Sequence, residues 1–472
     1  MIPGELKDLV EYAVRRALGM NVDYAEARYQ INRSTSLFMI NGNIEALSNV
    51  SVAGISIRVI VNGSMGFAST NDPKNVDKAV ESAIKGAKAC LKISKELRLS
   101  EESFGEASYT SKVLKRPEDI SPEEKIELLS SVDELAKEKG ITSRNLSLRN
   151  SREQVYYVNS EGSRVEGDVT RVSGNATLTL VMGAESTQEF VEKGGSGGWE
   201  LVEGWNFLEE VSRIADVMKE CLEKGISPPR GKMDLVLGPY VVGLMMHEST
   251  GHPYEADRIL GREAAQAGES FVKPDMLGTR IGSEVVTVVD DPTIEGSSGF
   301  YLYDMEGVKA RRRILMKNGI INEFLHNRET AAIFGVKSNA AARASSYDRE
   351  PIIRMANTFM LPGDYSQDEL IEGIKEGVFI ARFTEWNIDD RRYNQRYVGS
   401  EAYLIKDGKL DKMVKRPILE ITTPAFYSSI DAVGKDLKFT PGLCGKSDPG
   451  QAVPVWFGGP SVRLRGVRLG GI

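Results

Sequence analysis

The run His247-Glu248-Ser249-Thr250-Gly251-His252 restricts this chain more than any other stretch of it. Only three histidines occur in the sequence, and two of them end this segment. The apolar residues before it, from Gly238-Pro239 onward, read as a helix through about His252, entered from a short strand at Asp234 to Leu237. On an ideal α-helix, positions i and i+4 differ by about 40°, whereas i and i+5 differ by about 140°. Side chains on such different faces cannot share one small ligand. For the two imidazoles to act together the helix must distort, and a π-type turn brings i and i+5 nearly into line. Gly251, directly before the second histidine, makes a local distortion easier.

The spacing is one residue longer than the HExxH of common zinc peptidases. A catalytic zinc needs a third protein ligand and an open position. Cys444, Glu255, His326 and Asp257 are the candidates. Cys444 is favoured: it lies in Pro441-Gly442-Leu443-Cys444-Gly445-Lys446, where glycines allow close backbone approach, and a thiolate suits zinc. Glu255, three residues past His252, is the second choice, or else a partner that orients a ligand histidine. His326 reads as structural or substrate-facing. Glu248 is the expected general base, taking a proton from activated water and passing it to the leaving amine. Nitrogen and sulfur donors favour zinc over magnesium or calcium. A thiolate donates more charge than a carboxylate, so modest turnover is expected. Tyr347, Arg343 and Arg354 are further donors that the sequence does not rank.

The chain has 472 residues, enough for about three domains at roughly 150 residues each. Hydrophobic residues make up 41%, sufficient for real cores. The net charge of −7, without a basic stripe interleaved with aromatics, argues against nucleic acid as a partner. The short run Lys309 to Arg313 reads as a solvated strand or loop. The start is a charged amphipathic helix without the apolar core of a signal peptide, and no window approaches a membrane span. Three sparse cysteines, Cys90, Cys221 and Cys444, point to a reducing, cytoplasmic setting. Cys90 and Cys221 read as core residues.

The expected fold class is α+β: an N-terminal domain over 1–225 with mixed and antiparallel sheets and helices, and a mainly β, barrel-like domain over 229–472 that carries the metal-binding helix. Sublobes 1–100 and 112–225 are expected within the first. Helices are read at 5–18, from Asp72-Pro73 to about Leu97, from the capping box at Ser121 to Gly140, and over 206–224. Strands are read at 23–32, 34–41, 51–62, 64–69, 143–150, 154–159 and 163–182. Residues 98–118 read as a connector and 193–199 as flexible. The segment Gly225 to Lys232 (GISPPRGK) is the best linker. Beyond it, residues 284–469 read as strands with turns at Asn318-Gly319 and Asp407-Gly408, and one helix from Ser366 to Gly377.

These residues resemble the TldD/PmbA family of metallopeptidases, and the similarity spans almost the whole chain. It rests on Gly54 to Arg58, Gly66 to Ser69, His247 to Asp257 (HESTGHPYEAD), Tyr303 to Gly307, Arg354 to Thr358, Gly399 to Gly408 (GSEAYLIKDG), and Cys444-Gly445-Lys446 with Pro454-Val455. Retention of His247, Glu248, His252 and Cys444 is similar to the active branch of the family rather than the branch that has lost its ligands. The resemblance implies a two-domain dimer, homodimeric or paired with a paralogous subunit. It also implies an active site reached by a cleft or tunnel, and unfolded peptides bound as an added strand. The rival expectations are a non-catalytic assembly subunit and a zinc amidase for small amides. Two departures from the family pattern are Ala256 in Glu255-Ala256-Asp257, and the charged, aromatic segment Trp386 to Tyr397 where many members are glycine-rich.

Overall fold

A computed structural model describes residues 2–91, 96–262, 269–446 and 450–471. The first half is organised by one seven-stranded sheet. Its strands are β1 (Tyr24–Ile40), β2 (Asn43–Val61), β3 (Ser64–Thr70), β4 (Glu106–Thr110), β5 (Ser143–Asn159), β6 (Arg164–Met182) and β7 (Glu185–Ser196). The order is β3-β2-β1-β5-β6-β4, with β7 also on β6. β1 pairs antiparallel with both β2 and β5 along nearly all of its length.

Alternation along β1 explains what lies on each face. Ala25, Ala27, Tyr29 and Ile31 pack beneath α1 (Gly4–Leu18) and α2 (Val76–Cys90), while Leu37 and Met39 pack beneath α3 (Pro122–Glu138) and α5 (Phe207–Lys224). A short helix, α4 (Trp199–Glu203), joins the second of these cores. α1 buries Val10, Ala13, Val14 and Ala17, the stripe of an amphipathic helix. The alternate residues Glu26, Arg28, Gln30 and Asn32 are polar and face the second half. Arg28 donates to the carbonyls of Ser346 and Arg349, and Asn32 to that of Ser345. Arg58 bridges Glu26 at 2.8 Å and Glu306 at 2.7 Å, all three buried.

The second half holds, among the described residues, a two-stranded ribbon of Ala342–Arg343 and Ile352–Ile353 and two larger sheets. One has nine strands, including β8 (Gly231–Leu237), and forms a half-barrel. The other has six, ordered Ile320–Ile321, Arg313–Lys317, Val288–Asp290, Asn357–Met360, Gln451–Gly459 and Lys438–Lys446. The helix α6 (Pro239–Met246) is buried among them, with Val241, Val242, Met245 and Met246 inaccessible. A cavity of about 1230 Å³ separates the two halves. Its walls are the polar face of β1 and β5, the loops around Phe300 and Ser345, and the hairpin of Lys438–Lys446 with Gln451–Gly459.

Several local readings need correction. The strands read at 23–32 and 34–41 are one strand, as are those at 143–150 and 154–159. Their polar middles stay paired because the sheet's second face is polar. The reading of 98–118 as connector missed β4, which pairs parallel with β6. Residues 193–199 are not a free segment, because β7 continues to Ser196. A Cβ on Gly195 would lie 2.4 Å from the Gly296 carbonyl, so close packing accounts for glycine there. α2 ends at Cys90, and the expected extension to Leu97 falls partly on 92–95, outside the described residues. The helix after Ser366 ends at Glu372, and Gly377 already lies in a strand. Short helices at Arg328–Phe334 and Thr423–Ser429 interrupt the expected strands. In the basic run, Arg311 and Arg312 are solvated, but Arg313 is buried against Asp290.

Candidate metal centre

α6 starts with Pro239 at its first turn, where no N–H is needed, and runs as a regular α-helix only to Met246. Residues His247–Gly251 form a π turn, closed by the His252 N–H donating to the His247 carbonyl. Pro253 then prevents the helix from continuing. The turn brings the two imidazoles together, with ring centroids 4.9 Å apart at 79°. Gly251 has φ −53° and ψ −67°, ordinary right-handed values, so conformational freedom is not its role. A Cβ there would lie 1.8 Å from Met355 Sδ; the glycine supplies space.

Cys444 arrives from the edge strand Lys438–Lys446, paired opposite Val453. Alternation turns its neighbour Leu443 outward, 63% exposed, and Cys444 inward. Its Sγ is 3.4 Å from His252 Nε2. Ligand atoms of His247, His252 and Cys444 all lie within 4.8 Å of one another, and all three residues are buried. The other His252 nitrogen, Nδ1, is 3.2 Å from Glu255 Oε2. The carboxylate accepts that proton, which leaves the Nε2 lone pair facing the sulfur. His247 Nδ1 is buried and has no hydrogen-bond partner among the described residues.

The electrostatics suit a cation. Burial lowers both imidazoles from their ordinary pKa, His252 strongly, so both are neutral donors. Burial pushes the Cys444 thiol up, while His252 when protonated and the guanidinium of Arg354 pull it down, leaving it below the ordinary thiol value. Two neutral imidazoles, one of them with an orphaned buried nitrogen, and a thiolate-prone sulfur fit a borderline-soft divalent ion.

Glu255 is a partner of His252 and not one of the three converging residues. It lies among Lys446 at 3.3 Å, Arg258 at 3.5 Å and Arg354 at 3.9 Å. Asp257 also stands apart, with both oxygens 2.8 Å from Lys446 Nζ. His326 is elsewhere: its Nδ1 meets Thr330 Oγ1 at 3.1 Å, its ring packs on Phe324 and Phe334, and burial takes its pKa down to about 4. Arg354 donates to the Cys444 carbonyl at 2.5 Å and to that of Gln451, fixing the strand that carries the sulfur. Arg343 binds the carbonyls of Met355 and Pro454, and Tyr347 packs on Gly54 of β2.

Glu248, on the π turn, is buried with its carboxylate 2.8 Å from Arg392. Arg392 comes from the hairpin between Phe383–Ile388 and Asn394–Gly399, inside the charged, aromatic segment Trp386 to Tyr397. Residue types alone did not reveal it, because only the hairpin's register sets it opposite Glu248.

Residues 230–471 match the PmbA/TldA metallopeptidase C-terminal domain. Residues 25–87 and 115–219 match domain 1 and the central domain of the same metallopeptidases. The chain belongs to the TldD/PmbA family of metallopeptidases. Among its TldD/PmbA relatives, a metalloprotease of Methanothermobacter thermautotrophicus is 36% identical, covering 95% of this chain and 96% of that one. A zinc metalloprotease TldD homolog of Saccharolobus solfataricus is 26% identical, covering 97% and 99%. The crystal structure of TldE from Thermococcus kodakarensis shares the fold, with a TM-score of 0.77 at 19% identity over 99% of this chain and 100% of that one. The Ala256 departure from the TldD/PmbA pattern is accommodated because this residue opens a helix at negative φ.

Proposed function

We propose that this chain is a zinc-dependent peptidase of unfolded or extended peptides, with His247, His252 and Cys444 as ligands and Glu248 as general base. The observation that carries the reading is the convergence of three buried donor atoms within 4.8 Å from segments 192 residues apart in sequence. Bound zinc supplies Lewis acidity that polarises a carbonyl and acidifies water. The chain's own residues supply the rest. Glu248, adjoining His247 and held by Arg392, accepts a proton from water and returns it to the leaving amine. Glu255 fixes the ring of His252, and Arg354 fixes the strand of Cys444.

The strand Lys438–Lys446 pairs, among the described residues, only with Gln451–Gly459, and it walls the cavity. An extended peptide in that cavity would add to its edge through main-chain hydrogen bonds, which grip any sequence. Walls on both sides would exclude folded proteins. Retention of the donor set favours a catalytic chain over a ligand-less assembly subunit. We place the protein in the cytoplasm, as a dimer with a second copy or with a paralogue of the TldE kind. The purified protein is expected to hold about one zinc per chain, the complement of a single three-ligand site. Mass spectrometry of a mixed unfolded-peptide pool should show chelator-sensitive cleavage. Glu248→Gln should keep the zinc and lose cleavage, and undiminished cleavage by metal-free protein would overturn the reading.

A further inference from the structure

We infer that Arg392 is a positioning residue that holds the Glu248 carboxylate off the metal and keeps it available as a base. This rests on the zinc-peptidase reading above. Glu248 adjoins a ligand histidine on the same distorted turn, and a carboxylate is itself a good zinc ligand. Left to itself, it could swing onto the cation and close the position that water needs. Yet the Glu248 carboxylate is not among the atoms that converge within 4.8 Å. It is turned instead to Arg392 Nη1, at 2.8 Å, with both side chains buried.

The hairpin tip is built to deliver this guanidinium. Arg392 has φ +63°, a conformation that favours glycine and is strained for a long side chain. It is held there from several sides. Its N–H donates to the Asp389 carbonyl, and its own carbonyl accepts from Thr423 Oγ1 at 2.7 Å. The Asp389 side chain caps the next two backbone N–H groups, of Tyr393 and Asn394. Gln395 donates both to Thr423 Oγ1 and to Ser249 Oγ, the neighbour of Glu248. The hairpin and the π turn are thus joined twice, once through Gln395–Ser249 and once through Arg392–Glu248. A strained residue held this firmly against a functional carboxylate points to a role in the chemistry rather than in the turn.

The experiment compares Arg392→Gly and Arg392→Lys with the wild type. Glycine suits the positive φ, so the turn is expected to form and a fold defect is not the expected cause of lost activity. For Arg392→Gly, kcat should fall by about 10- to 100-fold, the usual effect of losing an outer partner of a metal site. KM should change little, and zinc should be held as tightly or more tightly in chelator competition. In cobalt-loaded protein the visible absorption band should shift as a carboxylate joins the ion. Adding Glu248→Ala should cancel that shift. Arg392→Lys should recover part of kcat. Wild-type kcat in Arg392→Gly, an unchanged cobalt spectrum, or a kcat loss that merely tracks zinc loss would each overturn the inference while leaving the zinc reading intact. A wild-type protein that takes up no metal would instead remove the zinc reading, and this inference with it.

Discussion

Glu255 balances the buried charge around the candidate centre. It is fully buried, orients His252, and faces Lys446, Arg258 and Arg354. Removing one partner of a buried charge group leaves the others uncompensated, at about 3–5 kcal/mol. Glu255→Ala should therefore lower the denaturation midpoint and also weaken zinc binding by about 10- to 100-fold, both measurable on one preparation. Much of the centre was legible at this scale. With only three histidines, the five-residue offset of two of them required a distorted turn if they were to share a ligand, and the glycine-flanked Cys444 was the favoured of four candidates for the third donor. The salt links of Lys446 and Arg392 were not legible, since neither spacing nor residue type says which distant loop meets which carboxylate.

At the scale of elements, the π turn is the most constrained piece of backbone. Gly251 has no room for a Cβ beside Met355, which is itself inaccessible. Overpacking of this kind typically destabilises by about 1–3 kcal/mol. Gly251→Ala should show that loss in chemical denaturation and reduced zinc content. Met355→Ala in the same chain should relieve the contact and return part of both. Element types were readable wherever apolar periodicity was clean, as in α1 and α5. They were misread where a strand carries polar residues through its middle, as around Arg33 and Arg152, because these side chains stay exposed or half-exposed along the cavity while the backbone beneath them remains paired. The glycines of β7 misled for a related reason: they serve close contacts that no local pattern records.

For the whole molecule, a half-buried carboxyl between the halves predicts a pH response. Glu192 of β7 accepts from Tyr240 of α6, and burial pushes its carboxyl up to about 7 from the model-compound value of 4.5. The folded chain thus holds this proton more tightly than the unfolded chain. Its contribution to stability is complete below about pH 4.5 and is lost as pH rises through about 7. Glu192→Gln should flatten the fall in urea midpoint across that window and raise stability at pH 8 by about 1–3 kcal/mol. Chelation should act on the same scale. An ion joining the π turn to the strand Lys438–Lys446 would stabilise only the folded chain, so stripping it should lower the thermal midpoint and restoring zinc should reverse the change.

The separation of 192 positions between His252 and Cys444 also sets an order of events during synthesis. A ribosome adding about 5–20 residues per second exposes both imidazoles long before the sulfur is made. Until that late strand docks, a nascent chain of the proposed peptidase would hold two of its three metal donors. On the peptidase reading proposed above, a product truncated before Cys444 would lack the third donor and, with it, cleavage.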